Sequence, residues 1–204
     1  MQLNEIEQDA LSELINIGFG RAASALSILV GQRVILEAPL VGIFPVESME
    51  DALDNLSEGE ITSIHQVFSG RLCGNAILLF NQASATSLVD LLSGGTGQPH
   101  EISEADREAL IETGNILLNA FIGSFGNLLK VHVSFSVPSL QLDSLKQMIQ
   151  SLIVENHELE IALVVRVHFW LMKGDVNGYV VIVMGIQSMD ALMEAMRSIG
   201  FLDK

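Results

Sequence analysis

Asp9-Ala10-Leu11-Ser12-Glu13-Leu14-Ile15-Asn16-Ile17-Gly18-Phe19-Gly20 and Ile111-Glu112-Thr113-Gly114-Asn115-Ile116-Leu117 are the stretches whose reading decides the fold, because the second repeats the first. Glu13 and Asn16 return in register as Glu112 and Asn115, and Val34 returns at the same interval as Val133. Gly74 and Gly178, then Gly94 and Gly200, keep the correspondence at a slightly wider interval, which puts small insertions into the loops of the second copy. The chain therefore reads as two internal repeats, approximately 1–100 and 101–204.

Each copy predicts a long helix, three strands and a short helix. The first helix starts at a capping Asn4 and runs to about Val30. The second starts at Ser103, with Asp106 in the capping-box position three residues on. No proline interrupts either. β-Branched content and partial alternation predict strands at 34–43, 60–68 and 74–80, then at 131–142, 158–171 and 178–184. The turn-rich run 173–178 predicts the closure of a hairpin. Short helices are expected at 83–93, stopped by Gly94-Gly95, and at 188–198. Neither half has enough strands to bury its long apolar helix. The expectation is one α+β domain over 1–204 whose pseudo-twofold halves share a sheet or core.

Composition narrows the function. The 204 residues are 49% hydrophobic and 17% charged, which is a globular composition. Mean hydropathy is +0.43, yet the continuous apolar runs 76–80, 161–165 and 179–184 fall far short of the ~20 residues of a spanning helix, so no membrane insertion is expected. The acidic start Glu5-Ile6-Glu7 is unlike a secretory signal, and the expected compartment is cytoplasmic. Cys73 is the single cysteine and, by its apolar setting, reads as core. A net charge of −15 with 5% aromatic residues argues against nucleic acid as partner.

At 3.6 residues per turn, Leu11, Leu14, Gly18, Ala22, Ala25 and Leu29 form the apolar stripe of the first helix. Glu13, Asn16, Gly20, Ser24 and Ser27 lie opposite. The second helix sets Glu108, Glu112, Asn115, Asn119, Gly123 and Gly126 against Leu110, Leu117, Phe121 and Leu128. A solvated face usually carries mixed charges. These carry a Glu and an Asn on a bed of small residues, which suits close approach by another backbone. Asn is a poor helix former, and its return in register makes the pair a candidate site: Glu13 with Asn16, Glu112 with Asn115.

The segment 9–27 closely resembles the first signature helix of the CheC family of chemotaxis phosphatases, and 111–117 resembles the second. The order of elements fits over nearly the whole chain, so the resemblance implies a CheC-like fold. It also implies hydrolysis of the aspartyl phosphate of a CheY-like response regulator. Asn16 and Asn115 would orient the attacking water, and Glu13 and Glu112 would pair with the regulator's lysine. The resemblance implies no cofactor on this chain, the Mg²⁺ belonging to the regulator. It implies CheD as a further partner, for which Met189, Met193 and Met196 offer either an adaptable surface or, as the simpler reading, core. Asn119 in place of Gly20 makes the two faces sterically different.

Other signals point elsewhere. Gly18-Phe19-Gly20-Arg21-Ala22-Ala23 fits the dinucleotide pattern G-x-G-x-x-A, with Glu37 at a suitable distance, but needs a strand where the sequence reads as helix. Gly94-Gly95-Thr96-Gly97 lacks the lysine of a phosphate loop. His65, His100, His132, His157 and His168 show no metal-ligand spacing. The acidic segment 47–60 reads as a solvated loop with a helical turn. A non-catalytic adaptor that sequesters a regulator or CheD is the second reading, and a dinucleotide enzyme the third.

Overall fold

A computed structural model describes residues 3–53, 56, 59–155 and 158–201. Helix α1 (Glu5–Val30) begins at Asn4, whose side chain accepts from the Glu7 amide while Glu7 closes the capping box. It ends at Gly31, whose positive φ of 64° is open to glycine. Helix α3 (Glu104–Leu129) starts the same way on Ser103 and Asp106. Both starts are local, and both agree with the sequence.

Between and after them lie β1 (Ile35–Pro45), β2 (Glu60–Gly70), β3 (Gly74–Asn81) and α2 (Gln82–Leu92), then β4 (Val133–Phe135), β5 (Ser139–Ser144), α4 (Leu145–Glu155), β6 (Ile161–Leu171), β7 (Gly174–Met184) and α5 (Ile186–Ser198). All seven strands join one sheet in the order β1-β6-β7-β3-β2-β4, with β5 also on β2. Every pairing described is antiparallel. The order reads the same from either edge when β1, β2 and β3 are exchanged for β4/β5, β6 and β7. Strand β1 of the first copy pairs with β6 of the second, and β5 of the second pairs with β2 of the first. The halves are interlocked, which is why neither could bury its helix alone.

Two cores flank the sheet. On one face α1, α2, α3 and α5 cover Ile64, Phe68, Leu78, Phe80, Leu163, Val165 and Ile182. On the other, α4 and the 3-10 turn Val46–Ala52 cover Ile61, Ile77, Leu79, Val164, Val181 and Val183. Alternation along each strand divides its side chains between the two layers.

Several expectations are corrected. The run 131–142 is two short strands, broken across Pro138, not one. Helix α4 was not anticipated, although Leu145, Met148, Ile149 and Leu152, all buried, have helical spacing. The hairpin turn is Met172-Lys173, and Gly174 already opens β7. The acidic segment has its expected helical turn and exposes Glu47, Glu50 and Asp51, but it is not wholly solvated, since Met49, Leu53 and Leu56 are buried; 54–55 and 57–58 lie outside the described residues. Cys73 is exposed, in the turn between β2 and β3, rather than core. Leu29 is 52% exposed, because after Ala22 the inward position falls on Leu26. Gly18-Phe19-Gly20-Arg21-Ala22-Ala23 lies wholly inside α1, so there is no strand-to-helix turn in which a pyrophosphate could sit. By length and apolarity alone α1 is long enough to cross a membrane. In the fold its Leu14, Ile15, Ala22 and Leu26 are committed to the core.

Candidate functional site

Helices α1 and α3 lie side by side on the sheet. Their contact is built on Phe19 and Phe121, stacked at 4.4 Å between ring centroids, with Phe125 against Phe121 at 4.9 Å. Gly18 allows the approach, since a Cβ there would come within 2.6 Å of the Phe121 ring. Gly114 does the same for α3 on the sheet, where a Cβ would meet Ile64 at 2.6 Å. With the inward faces used this way, the Glu/Asn positions are turned outward.

Glu13, Asn16, Gly20 and Ser24 are exposed, as are Glu108 and Glu112, while Asn115, Asn119 and Gly123 are half-buried. Nothing lies within 4 Å of a Cβ built on Gly20 or on Gly123. The ends of the two stripes behave differently from expectation. Ser27 donates to the Ala23 carbonyl and accepts from the Val34 amide, tying α1 to the start of β1. Gly126 is buried against Val131. The outward surface is thus shorter than the sequence suggested.

The two asparagines differ in their surroundings. Among the described residues the Asn16 side chain has no hydrogen-bond partner. Asn115 Oδ1 accepts from Asn119 Nδ2 at 2.7 Å and from Gln66 Nε2 at 3.3 Å. Gln66, on β2, is 1% exposed. Sequence reading missed it. The signal was a Gln at the core-facing position between Ile64 and Phe68, where an amide must find partners.

The remaining candidates sort simply. Met189, Met193 and Met196 are 0–2% exposed and belong to the helix-side core, so they give no surface to a partner. His65 is bonded to Ser63, and burial lowers its pKa to about 4 against the pull of Asp143. His100 is raised by the Gln98 carbonyl and by Asp106, whose carboxyl is in turn lowered by Ser103 and His100. His132 meets Ser134, and His168 stacks on Trp170 at 4.2 Å. His157 lies outside the described residues. Among the described residues no three His, Cys, Asp or Glu side chains gather as a metal site. Two clefts, of about 480 and 170 Å³, lie where α1 begins and beside Tyr179. Neither is lined by Glu13, Asn16, Glu112 or Asn115. The candidate residues therefore stand on an open surface, which suits a macromolecular partner better than a small molecule.

No protein-family model matches the chain. Curated relatives do. It is 28% identical over 142 residues to the flagellar motor switch phosphatase FliY of Bacillus subtilis strain 168, covering 69% of this chain and 36% of FliY. It is 27% identical over 148 residues to the CheY-P phosphatase CheC of the same organism, covering 69% of this chain and 68% of CheC. The chain thus spans about a third of the FliY it matches. Among solved structures, Thermotoga maritima FliY superimposes with a TM-score of 0.80 at 20% identity, over 98% of this chain and 100% of that one. The FliM middle domain of H. pylori gives 0.65 at 13% identity, over 95% and 100%. The fold is the α+β domain shared by FliY and CheC-like proteins. In sequence the chain is similar to these CheC and FliY proteins.

Proposed function

We propose that this chain is a cytoplasmic phosphatase that hydrolyses the aspartyl phosphate of a CheY-like response regulator in chemotaxis signalling. The observation that carries the reading is the pair of outward Glu/Asn sites on abutting helices, each on a surface with few large side chains. The names of its relatives CheC and FliY support the same activity.

The chemistry asks little of the catalyst. An acyl phosphate is already reactive, so what is needed is a water held in line and stabilisation of the developing charge. Water attacks phosphorus, the P–O bond to the aspartyl carboxylate breaks, and the products are inorganic phosphate and free carboxylate. A carboxamide offers a donor and an acceptor for placing that water. Asn16 and Asn115 take this role. Glu13 and Glu112 pair with the regulator's lysine and set the docked pose. Divalent metal belongs to the regulator, and no nucleophile of this chain is used.

The test is phosphate release from a phosphorylated CheY-type regulator with this chain present well below stoichiometry. Turnover lost in the Asn16→Ala/Asn115→Ala double variant supports the reading. Binding without turnover would instead make the chain an adaptor that sequesters the regulator.

A further inference from the structure

Three amides meet at the second site, and one backbone carbonyl sets the direction of all three. The Ser136 carbonyl can only accept, so the Gln66 atom 3.0 Å from it is the amino group Nε2. The Asn115 atom 3.3 Å from that amino group must then be its oxygen. The Asn119 atom 2.7 Å from the same oxygen must be an amino group. Asn115 Oδ1 thus accepts two hydrogen bonds from within the chain, and what Asn115 retains for a partner is its Nδ2 donor.

This arrangement is costly. Among the described residues Gln66 Oε1 and Asn119 Oδ1 are buried with no donor, and a buried amide oxygen left unpaired destabilises the fold. A core built for stability alone would place an apolar side chain at 66. The corresponding strand β6 does so, giving the helix layer only Ile161, Leu163, Val165, Val167 and Phe169. The first helix correspondingly has Gly20 where the second has Asn119.

We propose that Gln66 and Asn119 are positioning residues that hold the Asn115 carboxamide as a fixed donor toward an acceptor oxygen of the docked partner, while Asn16 remains a freely turning amide. The two Glu/Asn sites are then chemically unequal. The activity part of this inference rests on the phosphatase reading, and the positional part does not.

The test uses the full chain in two backgrounds. Asn16→Ala leaves the second site alone, and Asn115→Ala leaves the first. Gln66→Met keeps volume but removes the donors, and Asn119→Ala does so at a position that favours helix should Gln66→Met fail to fold. In the Asn16→Ala background either change lowers kcat about tenfold with KM unchanged. In the Asn115→Ala background neither changes kcat. Equal losses in both backgrounds, or no loss at the second site, would overturn the inference while leaving the phosphatase standing. Side-chain NH₂ resonances decide the positional part without any activity. The Asn115 pair, assigned by its loss in Asn115→Ala, shifts in Gln66→Met. An unmoved Asn115 resonance overturns the proposal.

Discussion

Gly18 lies under the ring of Phe121, closely enough that a single added methyl would stand 2.6 Å from Phe121 Cδ2 and 3.0 Å from Ser124 Oγ. This one contact sets how near α1 comes to α3. It therefore sets the spacing of the two Glu/Asn pairs as well.

Gly18→Ala is expected to destabilise the fold by about 1–3 kcal/mol, because Phe121 is already stacked on Phe19 and has to shift. Gly20→Ala, with nothing near its Cβ, should instead stabilise by about 0.5–1 kcal/mol through helix propensity. Urea denaturation of the two variants checks the contrast. Equal effects would show that the close approach has no energetic consequence.

The single variants Asn16→Ala and Asn115→Ala should each retain regulator dephosphorylation, and the double variant should lose it by about a hundredfold or more. Asn16→Ala should not lower the melting temperature and should raise it slightly, since that side chain has no partner among the described residues and Ala is the better helix former. Asn115→Ala should lower the melting temperature, since two donors lose their acceptor.

Stability should fall on acidification from near neutrality to about pH 4. His65 is held at about 4 in the fold, chiefly by burial, against ~6.5 in the unfolded chain. Below the unfolded value the unfolded state takes up the proton first. The contribution of His65 is therefore complete above about pH 6.5 and lost progressively down to about 4, on the order of 3 kcal/mol. His100, raised in the fold, works in the opposite sense, losing its contribution as pH rises. His65→Asn should flatten the decline seen in urea titrations between pH 7 and 4.5, and an unchanged slope would assign it to the carboxylates.

Cys73 should react with a maleimide in the native state within minutes, because it is exposed in the β2–β3 turn beside Ser188. Labelling that waits for denaturant would place the thiol in the core.

Much of the fold was legible where its causes are local. Asn4 with Glu7 and Ser103 with Asp106 start helices within four residues of chain. The doubled Glu13/Asn16 and Glu112/Asn115 register marked the candidate site. Where causes are distant, reading failed. Cys73 has apolar neighbours in sequence, but the turn carries it into solvent, whereas Met189, for which core was the simpler reading, is buried. Helix α4 was legible in principle from Leu145, Met148, Ile149 and Leu152, and was obscured by the β-branched residues around it.

The sequence by itself determined two repeats, their long capped helices and the identity of the paired Glu and Asn, since spacing and capping act over a few residues. Only the tertiary structure decided that β1 crosses to β6 and β5 to β2, because strand pairing is settled by partners more than seventy residues away. The same long-range pairing brings Gln66 and Ser136 beneath Asn115 and leaves Asn16 without them. Hydrogen bonds of that kind depend on where the sheet sets its strands, which no local pattern of side chains encodes.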